Sequence, residues 1–137
     1  MANTVYAKAK QALLEGKIDI LTKNFKILFI NKSFYTPNFF TNQFVSDIPS
    51  AAIVFRSSNV TGLHGTSGVL DADDLLEDGF PGTSFDAVVM YQVGSSDSNS
   101  LLFFFIDESE GLPFNGTGES LLLTLQWNNN LGKILNL

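Results

Sequence analysis

Hydrophobic and polar positions alternate most clearly in two neighbouring stretches, residues 85–93 and 101–107. In the first, Phe85, Ala87, Val89, Tyr91 and Val93 fall on one side and Asp86, Val88, Met90 and Gln92 on the other. In the second, Leu101, Phe103 and Phe105 oppose Leu102, Phe104 and Ile106, so both sides are apolar. The Gly94-Ser-Ser-Asp-Ser-Asn-Ser100 segment between them is turn chemistry, and the pattern predicts a β-hairpin. Strands apolar on both faces must be covered on both faces, by another layer of the same chain or by another subunit.

The same reading extends along the chain. Asn3 or Thr4 is expected to cap a helix from Val5 to Glu15, with Gly16 as its stop and Val5, Ala9, Ala12 and Leu13 on one face. Residues 1–16 therefore form either a helix laid on the sheet or an arm reaching to a neighbour. Ile18–Leu21 and Phe25–Ile30 read as strands. Thr36-Pro37 predicts a second short helix carrying Phe39, Phe40 and Phe44 and ending at Asp47-Ile-Pro49. Ala51–Ser57 reads as a strand, Ser58–Gly68 as a loop, and the acidic Asp71–Gly79 as turns or bends. Leu121, Leu123, Leu125 and Trp127 alternate with Thr124, Gln126 and Asn128, which places the first set inward. A turn at residues 128–132 leads to a last strand at Lys133–Leu137. The fold class expected is mainly β: one domain over residues 1–137, an antiparallel β-sandwich or barrel-like arrangement with a short N-terminal helix and one further short helix.

Composition narrows the chemistry. There is no cysteine, so there is no disulfide framework and no thiolate site. His64 is the sole histidine, it lies in Gly62-Leu-His-Gly65, and no Gly-x-Ser-x-Gly elbow accompanies the serines. No catalytic residue is expected. Asp71, Asp73, Asp74, Glu77 and Asp78 offer oxygen ligands, but Leu75 and Leu76 stand where a calcium loop of the EF-hand kind needs an oxygen and a glycine. No metal or cofactor is expected there. The amino-terminal stretch lacks a signal-peptide core, and the longest apolar run, Leu101–Ile106, is too short to cross a bilayer, so cytoplasmic synthesis without membrane partnership is expected.

The net charge of −6 is unevenly spread: residues 1–56 hold seven basic against three acidic residues, and residues 57–137 hold one against eleven. Such polarity suits docking between proteins, while the spaced bases match no nucleic-acid-binding module.

Several motifs in order resemble a family of small virion proteins of tailed bacteriophages: Gly16-Lys-Ile-Asp19 after a short helix, Tyr35-Thr-Pro37, and Gly68-Val-Leu-Asp-Ala-Asp-Asp74. Val89-Met-Tyr91, Ile106-Asp107 before Gly111-Leu-Pro113, Trp127-Asn128 and Ile134-Leu-Asn-Leu137 follow. Lys17 departs from the Gly-Asp-Ile-Asp form of the first turn. The resemblance covers nearly the whole chain and implies a non-enzymatic capsid cement or decoration protein. Such a protein binds the major capsid protein, is made in the host cytoplasm and resides in the virion. A tail or head–tail connector subunit is the alternative within the particle, and a carbohydrate-binding β-sandwich module the alternative outside it. The doubly apolar hairpin further predicts a homo-oligomer, dimer or trimer, with Val88, Met90, Leu102 and Phe104 at the contact.

Overall fold

The computed structural model describes residues 3–66, 69–108, 112–125 and 135–136. The elements in chain order are β1 (Thr4–Val5), α1 (Ala7–Leu14), β2 (Phe25–Ile30), β3 (Ile53–Arg56), β4 (His64–Thr66), β5 (Val69–Asp71), β6 (Leu75–Phe80), β7 (Ala87–Gln92), β8 (Leu101–Ile106), β9 (Leu121–Leu125) and β10 (Leu135–Asn136). The fold is β-rich, and every strand pairing among the described residues is antiparallel. A five-stranded sheet in the order β1-β8-β7-β2-β3 is accompanied by a three-stranded sheet, β10-β5-β4, and a two-stranded sheet, β6-β9.

The hairpin read from the sequence is β7–β8, and it lies at the centre of the larger sheet. Residues opposite one another in a ladder share a face. Phe29 with Val88, Ile27 with Met90, and Met90 with Phe104 therefore define one face. Leu28 with Val89, Val89 with Phe105, and Lys26 with Tyr91 and Leu102 define the other. The first face is roofed at Phe29 by a ring cluster in which Phe55, Phe80 and Phe85 lie 4.8–5.8 Å from Phe29. Phe114 stacks on Phe85 at 5.0 Å and closes that cluster. The second face is covered by residues 35–52: Tyr35 and Phe39 meet Phe105 edge-on, and Val45, Ile48 and Ala52 are buried.

This double cover corrects the expected contact residues. Val88, Met90, Leu102 and Phe104 are all buried inside the single chain, so no second copy is needed to remove them from water. Of the two readings for residues 1–16, the helix laid on its own sheet is the one seen: Ala9 and Ala12 join the core. The cap differs, however. Tyr6 precedes the helix without a side-chain cap, because Thr4 and Val5 are used to pair the outer edge of β8. The helix ends as expected. Gly16 adopts φ +73° and its N–H reaches the Leu13 carbonyl while that of Lys17 reaches Ala12, a Schellman ending that glycine permits without strain.

Three further segments depart from the sequence reading. Ile18–Leu21 is no strand but a turn in which the Asp19 carboxylate accepts from the Leu21 and Thr22 N–H groups. The stretch after Pro37 is not helical. The Asn38 side chain accepts from Phe40 and Thr41 N–H, and 3₁₀ turns at Val45–Asp47 and Ser50–Ala52 follow. Asparagine here offers the backbone a competing partner, which is why it disfavours helix interiors. The acidic stretch, expected to bend, supplies β6, paired with β9 from Leu75–Leu125 to Phe80–Leu121 with an irregularity between. The expected loop at 58–68 contains β4, beginning at His64. In β9 the alternation holds: Leu121, Leu123 and Leu125 pack towards the core while Leu122 and Thr124 face out. Trp127 and the turn at 128–132 lie outside the described residues, and of the last predicted strand only Leu135–Asn136 is described, as β10.

Candidate interaction surface

Four of the chemistry-bearing side chains, His64, Asp71, Asp73 and Glu77, make local hydrogen bonds. His64 is exposed, with Nδ1 2.7 Å from the Gly62 carbonyl oxygen. The Asp73 carboxylate accepts from the Thr61 hydroxyl at 3.3 Å, and the Asp71 carboxylate from its neighbour's N–H at 2.8 Å. Glu77 points inward from β6 and accepts from both the N–H and the hydroxyl of Ser58. Gly62 is shaped by the same contact, since a Cβ there would lie 2.5 Å from the Asp73 carboxyl group. Among the described residues no three of His, Asp and Glu converge in an arrangement that could hold a metal ion.

Charge separation along the chain is partly undone by folding. Lys32 reaches the buried carboxylate of Asp107 at 3.1 Å, and Arg56 forks onto both oxygens of Asp97 at 2.8 and 2.6 Å. Each pair joins a base of the first part to an acid of the second. Arg56 holds the Asp97 carboxyl below the usual carboxylate range, and that pair clips β3 to the turn joining β7 and β8.

A second polar chain lies in the core. The Asn42 side-chain oxygen accepts from the Asn38 N–H and from the Tyr35 hydroxyl at 2.8 Å, which leaves the Tyr6 hydroxyl to donate to Tyr35 at 2.8 Å. Burial pushes Tyr35 up to about 12, and burial with the neighbouring phenol pushes Tyr6 further still. The result is a turn locked at its base by side chains, with Phe39 directed onto Tyr6 and Phe105, and Phe40 exposed.

The motifs that carry the resemblance have structural work of this kind. Gly16 closes the helix, Ile18 is buried, and Asp19 makes its turn. The Asp19 N–H and the Lys17 carbonyl are then both held by the side chain of Gln92, each at 2.9 Å. Tyr35 anchors the locked turn, Val89-Met-Tyr91 is core, and Asp107 is the buried partner of Lys32.

Among the described residues, the large apolar side chains left exposed for contact with other molecules are Leu14, Leu21, Phe34, Phe40, Leu76 and Leu122. The sequence carried one signal for these: Leu122 is apolar at an outward position of an otherwise alternating strand. Leu76 stands opposite Thr124, so it is the diagonal neighbour of Leu122 on the outward face of β6–β9. A scan against protein-family models finds no match for this chain, and a search of curated proteins finds no significant relative.

Proposed function

We propose that this protein is a non-enzymatic structural component of a tailed-bacteriophage particle, a capsid cement or decoration protein that binds and stabilises the shell of the major capsid protein and associates with its own copies. The observation that carries this reading is the order of the motifs from Gly16-Lys-Ile-Asp19 to Ile134-Leu-Asn-Leu137, which spans nearly the whole chain. Two further features support it. Of the side chains best suited to chemistry, His64, Asp71, Asp73 and Glu77 serve local hydrogen bonds in loops and strands. The outward-facing leucines and Phe40 offer apolar contact points on ordered strands and turns, and a protein that docks on a preformed lattice needs such points.

The test is quantitative protein analysis of purified particles. A copy number in the hundreds is expected. About six or twelve copies would instead indicate a ring at the connector or tail, and absence from the particle would overturn the reading.

A further inference from the structure

Two exposed apolar surfaces of this molecule carry opposite charge. On β6–β9, Leu76 and Leu122 are 60% and 59% exposed; Asp74, the residue before β6, and Asp78, at the irregularity of β6 between Glu77 and Phe80, are exposed on either side of Leu76 in sequence. No lysine or arginine occurs anywhere between Ser57 and Leu125, so nothing in that long stretch offsets these carboxylates. At the other surface, Leu14 at the end of α1 is 90% exposed and Leu21, in the turn before β2, is 78% exposed. Lys10 is four residues before Leu14 on the helix and therefore on its face, and Lys23 follows Leu21. The Schellman ending, with Ile18 N–H also on the Ala12 carbonyl, folds the chain back so that the turn containing Leu21 follows directly on the helix end. The two acids of this surface are engaged: Glu15 pairs with Lys17 at 3.1 Å and Asp19 is held within its turn. Lys10 makes no ion pair among the described residues, and Lys23 lies near enough to Asp19 to help hold its carboxyl low, so the surplus positive charge of this surface rests chiefly on Lys10.

We infer that copies of this chain associate head to tail, the acidic leucine face of β6–β9 in one copy seated on the basic leucine surface at the end of α1 in the next. The proposal deepens the reading above, since it names the surface through which copies meet. Like-with-like pairing of either surface would set equal charges against each other, whereas the crossed pairing buries four leucine side chains between opposite charges. A contact of this kind is heterologous. It closes into a ring where the rotation permits and propagates along a lattice where it does not.

The experiment uses the full chain and two charge-reversed variants, one carrying Asp74→Lys with Asp78→Lys, the other Lys10→Glu with Lys23→Glu. All four positions are exposed, and circular dichroism with thermal melting verifies that both variants fold. Sedimentation velocity of the unmodified chain at low salt is expected to show association that weakens at least about tenfold at about 0.5 M salt, where screening shortens to a few ångströms. Each variant alone is expected to sediment as a monomer, and an equimolar mixture of the two to associate again. Should the unmodified chain associate while both variants associate equally well, this surface is wrong, and the particle reading stands. Should the unmodified chain be a monomer at every concentration and salt, self-association through this contact is overturned, while the copy number in particles still decides the capsid reading. A Leu122→Ser variant supplies a charge-neutral check: association unchanged from the parent chain would also overturn the proposal.

Discussion

Lys32 and Asp107 form an ion pair at 3.1 Å in which the lysine side chain is one-third exposed and the carboxylate is not exposed at all. The pair ties the 3₁₀ turn after β2 to the residue that follows β8. Removing one member of such a pair leaves a charge in a site built for two, which costs more than the pair itself contributes. Lys32→Met is expected to destabilise the fold by roughly 2–4 kcal/mol. Adding Asp107→Leu should recover part of that loss. Urea unfolding of the single and double variants checks it, and a double variant no better than Lys32→Met would contradict the account.

Gln92 is the buried clamp between α1 and the sheet. Its oxygen accepts from Asp19 N–H and its amide donates to the Lys17 carbonyl. Gln92→Leu keeps most of the volume but strands both backbone groups. A loss of about 2–3 kcal/mol is expected from the two unsatisfied groups. Hydrogen exchange should then show faster opening of residues 17–22 than of the β7–β8 ladder.

The Tyr6–Tyr35–Asn42 chain predicts alkaline sensitivity. Folding raises both phenols above the unfolded value of about 10, Tyr35 to about 12 and Tyr6 beyond it. Above the unfolded value the unfolded chain sheds protons that the native chain keeps. Stability is therefore fully present below that value and falls as pH rises towards 12, by up to about 1.4 kcal/mol per pH unit for each phenol. Denaturation midpoints measured between neutral and alkaline pH should decline steeply. In a variant with both Tyr6→Phe and Tyr35→Phe the decline should be shallower, although the variant starts less stable.

Phe104 sits opposite Met90 and Val5 within the sheet and is buried in the chain. Phe104→Asp places a carboxylate there without a partner and is expected to abolish cooperative folding. Were that variant to stay folded and merely lose self-association, Phe104 would belong to a contact between copies after all. Near-ultraviolet circular dichroism together with sedimentation separates the two outcomes.

His64 supplies a control. Its exposed ring is hydrogen-bonded to the Gly62 carbonyl. His64→Ala is expected to change the unfolding free energy by less than about 0.5 kcal/mol and, under the proposed capsid role, to leave particle incorporation unchanged. A large loss of particles with folding intact would assign the histidine a role that the present reading denies it.

Local patterning was sufficient for the elements whose identity rests on their own residues. The apolar runs of β2, β7 and β8 declare strands, because no other structure buries those side chains at that spacing, and the Ser-Asp-Asn segment between β7 and β8 declares their turn. Gly16 declares the end of α1 because the backbone there must turn left-handed. Tertiary structure decided the rest. The acid-rich Leu75–Phe80 is a strand only because Leu121–Leu125, some forty residues later, pairs with it. Thr4 and Val5 are a strand and not a helix cap because β8 had an open edge. Asn38 and Asn42 hold a turn and not a helix because the Tyr35 hydroxyl, itself bonded by Tyr6 from the start of the chain, donates to the Asn42 side chain. Above all, the doubly apolar hairpin specified that both faces be covered but not by what. Periodicity records which side chains must leave water. Whether Phe80 and Phe39 of the same chain or a second copy excludes that water depends on long-range packing, which no local window contains.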